Sequence, residues 1–491
     1  MSPVRSILLL ILMTACGATA QAQSPHDFTP EGAEIAAVGE ASAPLNLSEC
    51  IDLALESNDA LRQEREGLGE LSARKLQARA EGLPRLELQG NWARSRDPSF
   101  ALDESFAGGG DDLGSSALDS IFGEGFSFLP APEDIPAQTY WRAYLDAYWE
   151  LRPTRVWRAV SAAKGAIEQQ RARVRDVENR TTEEVIEAYH SVVLAHERKL
   201  AIAREVEARE EFLAITRRRQ SLDFATPLDT LQAAVSLGNL RPEERRRAQE
   251  LRRAGQRLNL LLGRDPLDPI AVVAEFPLEH GEVSRELALR AAAARPDLEA
   301  ERRQSDIHRL QRGVAKALNH PYLSFEGQWG YVGRDVGSLT DNGHDFWRAG
   351  VTLHLPLFDG LLAKGQAREA EAALRRNEHR VRQVEAQIRD EVLGALDELE
   401  IARADLDAAM LNMQGADDAY TQISLRYELG KSDNLAVLNA QSERFTARTT
   451  LIEARYRVLT SLATLKRAMG VSPLTPLTAL LAHARTQESE R

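Results

Sequence analysis

Alternating apolar and polar residues mark four short segments of the chain as half-buried β-strands. In residues 141–151 every odd position carries Trp, Ala or Leu, whereas the even positions carry Arg, Tyr, Asp or Glu. Residues 347–357 repeat this alternation, and two shorter segments follow it as well. A period of two with one apolar side is typical of a strand that buries one face. We therefore predict strands at residues 85–92, 140–151, 322–332 and 346–358.

Two long segments without proline are predicted to be helices. Neither residues 154–226 nor residues 357–472 contain a proline, as an uninterrupted helix requires. Within residues 395–420 the apolar positions step alternately by four and three, which is the spacing of a coiled-coil seam. The first long helix would extend about 100 Å at about 1.5 Å per residue. We predict long helices at 154–221 and 360–429, followed after a turn by shorter helices at 227–263 and 434–469.

The chain contains two copies of one unit. A shift of 237 positions aligns residues 54–92 with residues 291–329 without a gap, with a proline, a glycine and a tryptophan in register. Further along, a shift of 207 positions aligns Gly263 with Gly470. Each copy reads helix, strand, loop, strand, very long helix, turn and helix. We predict a first repeat at 47–267, a linker at 268–282, a second repeat at 283–474 and a C-terminal tail at 475–491.

The N-terminus has the order of an export signal. Arg5 precedes an apolar run and then small residues, which is typical of a secretory signal peptide over residues 1–22. Two processing routes remain open: cleavage after Ala22, or lipidation of Cys16, which ends a segment that resembles a bacterial lipoprotein box. The residues that follow, 23–46, are predicted to form an irregular leader.

Composition excludes several classes of protein. The chain has 61 basic and 74 acidic residues and a net charge of −13, so a nucleic-acid binder with a general basic footprint is not expected. Two cysteines do not make a disulfide framework or a cysteine-based metal site. No window of about 18–20 uninterrupted apolar residues occurs, which argues against a membrane-spanning helix but not against membrane-spanning strands.

The strands favour a membrane protein built from several copies of the chain. Five of the six tryptophans fall within the four strand segments, as in the aromatic girdles of outer-membrane barrels. Four strands leave two open edges, which lipid does not tolerate, and three copies would supply twelve strands. A soluble periplasmic coiled-coil scaffold is the rival interpretation. The residues predicted to face lipid are Trp141, Leu145, Trp149, Trp347, Val351, Leu353 and Leu355.

Several motifs resemble the TolC family of outer-membrane efflux proteins. They lie at residues 47–58 (LSECIDLALESN), 295–298 (RPDL), 355–360 (LPLFDG), 426–432 (RYELGKS) and 435–442 (LAVLNAQS). The resemblance implies a mixed α/β, mainly α fold that forms a homotrimer, with a 12-stranded barrel in the outer membrane and a 12-helix periplasmic tunnel. It further implies an exit duct without catalytic residues or cofactor. The expected partners are a periplasmic membrane fusion protein (the adaptor) and an inner-membrane transporter for drug efflux, metal efflux or type I secretion.

The resemblance places the periplasmic entrance at the two helix turns. In the best-known member, two aspartates three residues apart form a ring that favours cations, and Ala436 and Asn439 stand at the matching positions here. A Tyr–Asp–Arg linkage that closes that member is matched by Tyr427 and Asp229, but Ser432 replaces the arginine. Gln232 completes the expected gate. The residues expected to dock the adaptor are Leu222, Asp223, Leu429, Gly430, Lys431 and Ser432, with a glycine-centred motif in the second turn only.

Two features suggest other chemistry only weakly. Glu187 and His190 form a Glu-x-x-His fragment, with His196 nearby, but a carboxylate-bridged di-iron site needs a second such fragment. We interpret this fragment as a solvated helix face and predict no metal site. The loop at residues 93–139 holds nine carboxylates beside Arg94 and Arg96; we interpret it as a solvated external loop, with weak binding of divalent cations as the alternative.

Overall fold

The structure is a computed structural model that describes residues 34–38, 43–95, 137–274, 279, 281–333, 337 and 344–476. The predicted signal peptide with Cys16, most of the loop at residues 93–139 and most of the tail at residues 475–491 lie outside the described residues.

Helices and two small sheets alternate along the chain. The elements in order are β1 Glu34–Val38, α1 Leu47–Ser57, α2 Asp59–Ala80, β2 Arg85–Ser95, β3 Gln138–Leu151, α3 Pro153–Ser221, α4 Pro227–Leu261, β4 Ile270–Ala274, α5 Arg285–Ala292, α6 Pro296–Lys316, β5 Tyr322–Gly333, β6 Asp345–His354, α7 Leu362–Glu428 and α8 Asn434–Ala468. Each predicted long helix and each predicted strand segment has a counterpart among these elements.

The long helices α3 and α7 are each covered by shorter helices stacked end to end. Near the four-stranded sheet, α3 lies beside α2 and α6, and α7 lies beside α6. There the Asn377 side chain on α7 donates to the Glu301 carbonyl on α6 at 2.8 Å. Farther from the sheet, α3 contacts α4 and α8, and α7 contacts α8. In that half, Arg457 on α8 pairs with Asp405 on α7 at 2.6 Å.

The heptad predicted from the sequence is the buried seam of α7. From Ala395 to Met413 every residue of the heptad is buried, and most of these residues pack into one core cluster with α5, α6 and α8. Small and large side chains alternate along the seam, so the backbones of neighbouring helices can approach closely. The coiled-coil prediction is confirmed here.

The two repeats use the same kind of junction where two shorter helices meet. In the first repeat the Ser57 hydroxyl at the end of α1 donates to the Leu262 carbonyl just after α4, at 2.7 Å. In the second repeat the buried Arg295 donates to the Ala468 carbonyl at the end of α8, at 3.3 Å. The Arg295 guanidinium also bonds Asp297 and Glu391, each at 2.7 Å. These bonds satisfy helix-terminal carbonyls that lack an intrahelical donor.

A four-stranded antiparallel sheet has the order β2-β3-β5-β6. Leu145 lies opposite Trp329, which in turn lies opposite Trp347. Directly opposed residues of an antiparallel sheet share a face, so the predicted apolar positions form one surface. On the other face Asp146 accepts a hydrogen bond from Gln328 at 2.9 Å.

The entry to α7 explains the motif at residues 355–360. Gly360 and Leu361 both adopt positive φ, at 65° and 71°, and turn the chain from the sheet into the helix. The Asp359 carboxylate accepts bonds from the backbone N–H groups of Ala363 at 2.7 Å and Leu361 at 3.0 Å. These backbone hydrogen bonds, of which that from Ala363 has the largest effect, lower the pKa of Asp359.

The structure corrects the predicted leader at 23–46 and the predicted linker at 268–282. β1 lies in the leader, β4 lies in the linker, and the two pair antiparallel with Val38 opposite Ile270. Ile270 and Val272 are fully buried against α1, α3 and α4. The apolar run IAVVA at residues 270–274 could have indicated β4. A run of five residues is too short to show a period that distinguishes a strand from a helix.

Two predicted boundaries also differ. β6 ends at His354, so Leu355 lies beyond the strand that was predicted to carry it. The helix that opens the first repeat is divided into α1 and α2 at Asn58, whose side chain accepts a bond from the Leu61 N–H at 3.1 Å and thereby caps α2.

We predict that Gly470→Ala destabilises the fold by about 1–3 kcal/mol. Gly470 has a φ of 72°, and an added Cβ would lie 2.7 Å from the Arg295 Cγ atom. Thermal unfolding of the detergent-solubilised protein, followed by far-UV circular dichroism, measures the effect. Gly69→Ala on α2 is the control: its only neighbour within 4 Å is the Glu66 carboxylate, so the helix should gain up to about 1 kcal/mol. A Gly470→Ala variant as stable as Gly69→Ala would contradict the account of the junction.

Candidate functional site at the helix turns and the sheet face

The two turns that join the long helices to α4 and α8 have the same backbone. At the end of α3 the Phe224 N–H donates to the Arg219 carbonyl at 2.8 Å, and at the end of α7 the Lys431 N–H donates to the Arg426 carbonyl at 2.8 Å. This bond and a residue of positive φ form the Schellman motif that ends many helices. The four residues match under the repeat shift of 207 positions.

Asp223 takes the position that glycine takes in the second turn. The φ of Asp223 is 65°, and that of Gly430 is 70°. Aspartate adopts this conformation more readily than most residues, but at a higher cost than glycine. The missing glycine of the first turn therefore does not change its backbone. Leu222 and Leu429, which precede these residues, are both exposed.

Tyr427 lies in an aromatic and cationic cluster between the two long helices. Its ring packs 5.5 Å from the Phe212 ring. The Arg219 guanidinium lies over the Tyr427 ring at 4.4 Å and donates to the Tyr427 carbonyl at 3.1 Å. A cation at the C-terminal carbonyls of a neighbouring helix is favourable because those carbonyls carry partial negative charge. Arg219 thus fastens the end of α3 to the end of α7.

Asp229 caps its own helix. Its carboxylate accepts bonds from the Thr226 N–H and hydroxyl, both at 2.8 Å, and the Thr226 hydroxyl accepts from the Asp229 N–H. This is the reciprocal capping box. Within the part of the chain that the structure describes, no hydrogen bond joins Asp229 to Tyr427, so the expected pairing is not formed inside one copy.

Asn434 joins the two turns. Its buried side-chain amide donates to the Asp229 carbonyl at 3.2 Å and to the Gln232 side-chain oxygen at 3.4 Å. The start of α8 and the start of α4 therefore lie at the same level. Of the other predicted gate residues, Ser432 and Ala436 are half-buried and Asn439 is exposed.

A buried ion pair holds three helices together beyond the turns. Arg209 and Glu205 on α3 pair at 2.7 Å, and both side chains are buried. The Arg209 guanidinium also donates to Ser236 on α4 and, at 2.9 Å, to Ser442 on α8. Breaking such a pair would leave an uncompensated buried charge, so the network fixes the relative position of these helices.

His190 is buried rather than solvated. It is 3% exposed, and burial lowers its pKa to about 4, which keeps the ring neutral near pH 7. The interpretation of this fragment as a solvated helix face is wrong at His190. In the same fragment, the Glu187 carboxylate lies 3.8 Å from the Arg257 guanidinium. Among the described residues, no three His, Cys, Asp or Glu side chains are grouped so that they could hold a metal ion.

The apolar face of the four-stranded sheet is exposed in a single chain. Leu145, Trp347, Val351 and Leu353 are between 41% and 74% exposed. Such a continuous apolar surface requires a covering phase or partner. None of the described helices is both long and apolar enough to cross a membrane.

The fold and the turns define an elongated helical protein with an apolar sheet at one end. The sequence model described as outer membrane efflux protein matches residues 50–264 and 287–471. The chain therefore belongs to the outer membrane efflux protein family, which places it in the outer membrane of a Gram-negative bacterium. The two matched segments correspond to the two predicted repeats.

Individual relatives agree with this assignment. The chain is 26% identical to outer membrane protein OprJ of Pseudomonas aeruginosa over 437 residues, or 86% of this chain and 84% of OprJ. It is 24% identical to cobalt-zinc-cadmium resistance protein CzcC of Cupriavidus metallidurans over 314 residues, or 63% of this chain and 72% of CzcC. The CmeC outer membrane channel of Campylobacter jejuni has the same fold, with a TM-score of 0.73, 16% identity and coverage of 89% of this chain and 88% of CmeC.

The sequence did not single out Arg219 and Asn434 as residues of the site. The repeat aligns Arg219 with Arg426, and this match was the one feature of the sequence that could have pointed to Arg219 as a residue of the site. Asn434 lies between the predicted docking residues 429–432 and the predicted gate residue Ala436. Nothing in its local pattern distinguishes a buried cross-link from an ordinary residue of a first helical turn.

We predict that Asp223→Val destabilises the turn by about 1–2 kcal/mol, because a β-branched residue strongly disfavours positive φ. Asp223→Gly should not destabilise it. Leu222→Val is the control in the same turn, since Leu222 is exposed with a φ of −107°, and it should change stability by less than about 0.5 kcal/mol. Thermal unfolding of the three variants gives the comparison; equal loss for Asp223→Val and Leu222→Val would contradict the strained-turn interpretation.

Proposed function

We propose that three copies of the chain form an exit duct for a tripartite efflux or type I secretion system. In this proposal a periplasmic adaptor joins the duct to an inner-membrane transporter. The open edges of the four-stranded sheet carry the proposal. β2 and β6 each have a pairing partner on one side only among the described residues. Unpaired backbone groups are intolerable in lipid, so an outer-membrane protein with this sheet needs further strands from other copies.

The direction of the edge strands fits ring closure. The order β2-β3-β5-β6 is antiparallel throughout, so the two edge strands run in opposite directions. β6 of one copy can therefore pair antiparallel with β2 of the next, and three copies would give a closed barrel of twelve strands. This exceeds the eight strands of the smallest bacterial outer-membrane barrels.

The helices support a tunnel that continues the barrel. At every level along α3 and α7, two further helices accompany them, α2 and α6 near the sheet and α4 and α8 near the turns. Each copy thus contributes four helices to a cross-section, and three copies would contribute twelve. The long helices extend about 100 Å at about 1.5 Å per residue, a length suited to crossing a wide compartment.

The sheet face and the turns take separate roles in the proposal. The apolar face with Leu145, Trp149 and Val351 contacts lipid, and the face with Asp146 lines the lumen. At the other end of the molecule, the two turns form the periplasmic entrance and the adaptor-docking surface. The duct acts by passage alone, without catalytic residues, metal or cofactor.

Fractionation and conductance test the proposed function together. The mature chain should be recovered from outer membranes with detergent as a trimer, and the purified trimer should open conducting pores in a planar bilayer. Recovery as a detergent-free soluble monomer without pore activity would instead support a soluble scaffold protein.

We predict that Val351→Arg, near the middle of β6, lowers the yield of folded trimer in the membrane, whereas the adjacent Thr352→Arg does not. An arginine on the lipid face near the bilayer midplane costs about 2–4 kcal/mol, against little on the lumen face. The two positions are neighbours on β6 and both are exposed in the single chain, so they form a matched pair. Equal yields of the two variants would show that the assignment of the faces is wrong.

We predict that Ala436→Asp with Asn439→Asp makes the pore more cation-selective and more sensitive to divalent cations. Three copies would gain six carboxylates at the entrance, and carboxylate rings favour cations in a narrow pore. Ala436 lies in the first turn of α8, where its N–H bonds Asp433 at 2.8 Å, and a carboxylate at a helix N-terminus is well tolerated. Reversal potentials in a planar bilayer measure the change, with Ala436→Asn as the neutral control. A wild type already as selective as the double variant would show that the constriction lies elsewhere.

A further inference from the structure

The outermost helices of the half near the turns have open sides. In this half α3 and α8 lie in the middle, while α4 packs on α3 and α7 packs on α8. α4 buries Ala233, Leu251 and Leu258 against its neighbours. Arg245 and Arg252, which are both exposed and lie one heptad apart, flank this buried stripe at the edge of the open side.

The middle of α4 is strongly basic. Residues 241–257 contain seven arginines and three glutamates. Several of these arginines have a carboxylate nearby; Arg246, for example, pairs with Glu243 at 2.9 Å. Arg245 and Arg252 have no acidic partner within the described residues. Arginines one heptad apart are well placed to meet charges on a facing helix.

The part of α7 nearer the turns is strongly acidic. Residues 390–418 contain nine carboxylates and a single basic residue, Arg403. Glu400 and Asp407 are exposed, lie one heptad apart and have no basic partner in the described part of the chain. They flank an apolar strip on which Leu411 is 71% exposed. An apolar strip with charged flanks is the composition of a helix-pairing surface.

The two open sides lie at matching heights. Asn434 bonds the start of α4 to the start of α8, so heights can be counted from the turns. Counting at about 1.5 Å per residue places Arg245 at about 27 Å and Arg252 at about 38 Å. The same count places Asp407 at about 32 Å and Glu400 at about 42 Å.

Both possible pairs therefore have the same offset of about 4–5 Å, which an arginine side chain can span. Inside the chain the count agrees with a contact between α8 and α7. Arg457 on α8 and Asp405 on α7 each lie 23 residues from their turn, and they are bonded at 2.6 Å.

We propose that α4 of one copy docks against α7 of the next copy, with Arg245 paired to Asp407 and Arg252 paired to Glu400. This inference rests on the proposed trimer and identifies the charges that set its helical register. α4 runs away from the turns and α7 runs towards them, so the two heptad steps align in antiparallel order. The contact is heterologous, since two different surfaces meet, and repetition around an axis closes a ring.

Charge reversal tests the two pairs. One variant carries Arg245→Glu and Arg252→Glu, a second carries Glu400→Arg and Asp407→Arg, and a third carries all four changes. The control is Arg74→Glu with Arg309→Glu, which makes the same change in net charge at exposed arginines that pair within their own helices, α2 and α6, outside the proposed contact. The readout is the half-life of the detergent-solubilised trimer at a fixed elevated temperature, at low and at high salt.

We expect each double reversal to shorten the half-life by roughly tenfold or more at low salt and by less at high salt, since exposed charges are screened. The fourfold variant should recover most of the wild-type half-life, and the control should retain it. The pairing would be overturned if the fourfold variant did not recover the wild-type half-life, or if both double reversals left the half-life unchanged. Unchanged half-lives together with an altered pore conductance would show that the carboxylates line the lumen. A wild type that is not a trimer would instead overturn the proposed function.

Discussion

The unpaired backbone of two edge strands is the constraint on which the rest of the structure depends. β2 and β6 present N–H and C=O groups that have no partner within the described chain, and a membrane offers none. The apolar face between these edges cannot be left in water at this size. A single copy therefore satisfies neither its sheet edges nor its sheet face, and the proposed barrel of several copies in lipid would meet both requirements. The opposite directions of β2 and β6 allow this closure with identical copies.

The long helices likewise depend on neighbouring elements to cover their apolar surface. A helix of 67 or 69 residues is stable only where neighbours cover an apolar stripe along its length. The chain covers α3 with α2 and α6 near the sheet and with α4 and α8 near the turns, and it covers α7 with α6 and then α8. Each long helix therefore passes a junction between shorter helices partway along. The repeats satisfy the exposed carbonyls at these junctions in two ways, with a serine hydroxyl at Ser57 and with a buried guanidinium at Arg295. At the far end Arg219, Asn434 and the two Schellman turns hold four helix ends level, as an entrance formed by several copies would require.

Periodicity was sufficient to predict the parts of the fold that are repeated and long. The heptad from Ala395 to Met413 is buried as predicted, because a sustained period of 3.5 residues has only one structural interpretation. The β1–β4 pair was missed, because a five-residue apolar run has no period and its partner lies more than 200 residues away.

Site residues were predictable only where they occupy a motif position. The contacts of Arg219 with Tyr427 and of Asn434 with Asp229 join segments about 205 residues apart, and a single sequence does not encode which distant polar groups meet. His190 shows the same limit, since its burial depends on neighbouring helices rather than on its own local pattern.

Hydrogen–deuterium exchange of the edge strands tests the central claim most directly. In the detergent-solubilised full-length protein, the amides of β2 and β6 that point away from β3 and β5 should exchange as slowly as the amides of those central strands, because the proposed trimer hydrogen-bonds each edge to another copy. Rapid exchange of these edge amides beside protected central strands would contradict the account, since it would show a sheet whose edges remain open.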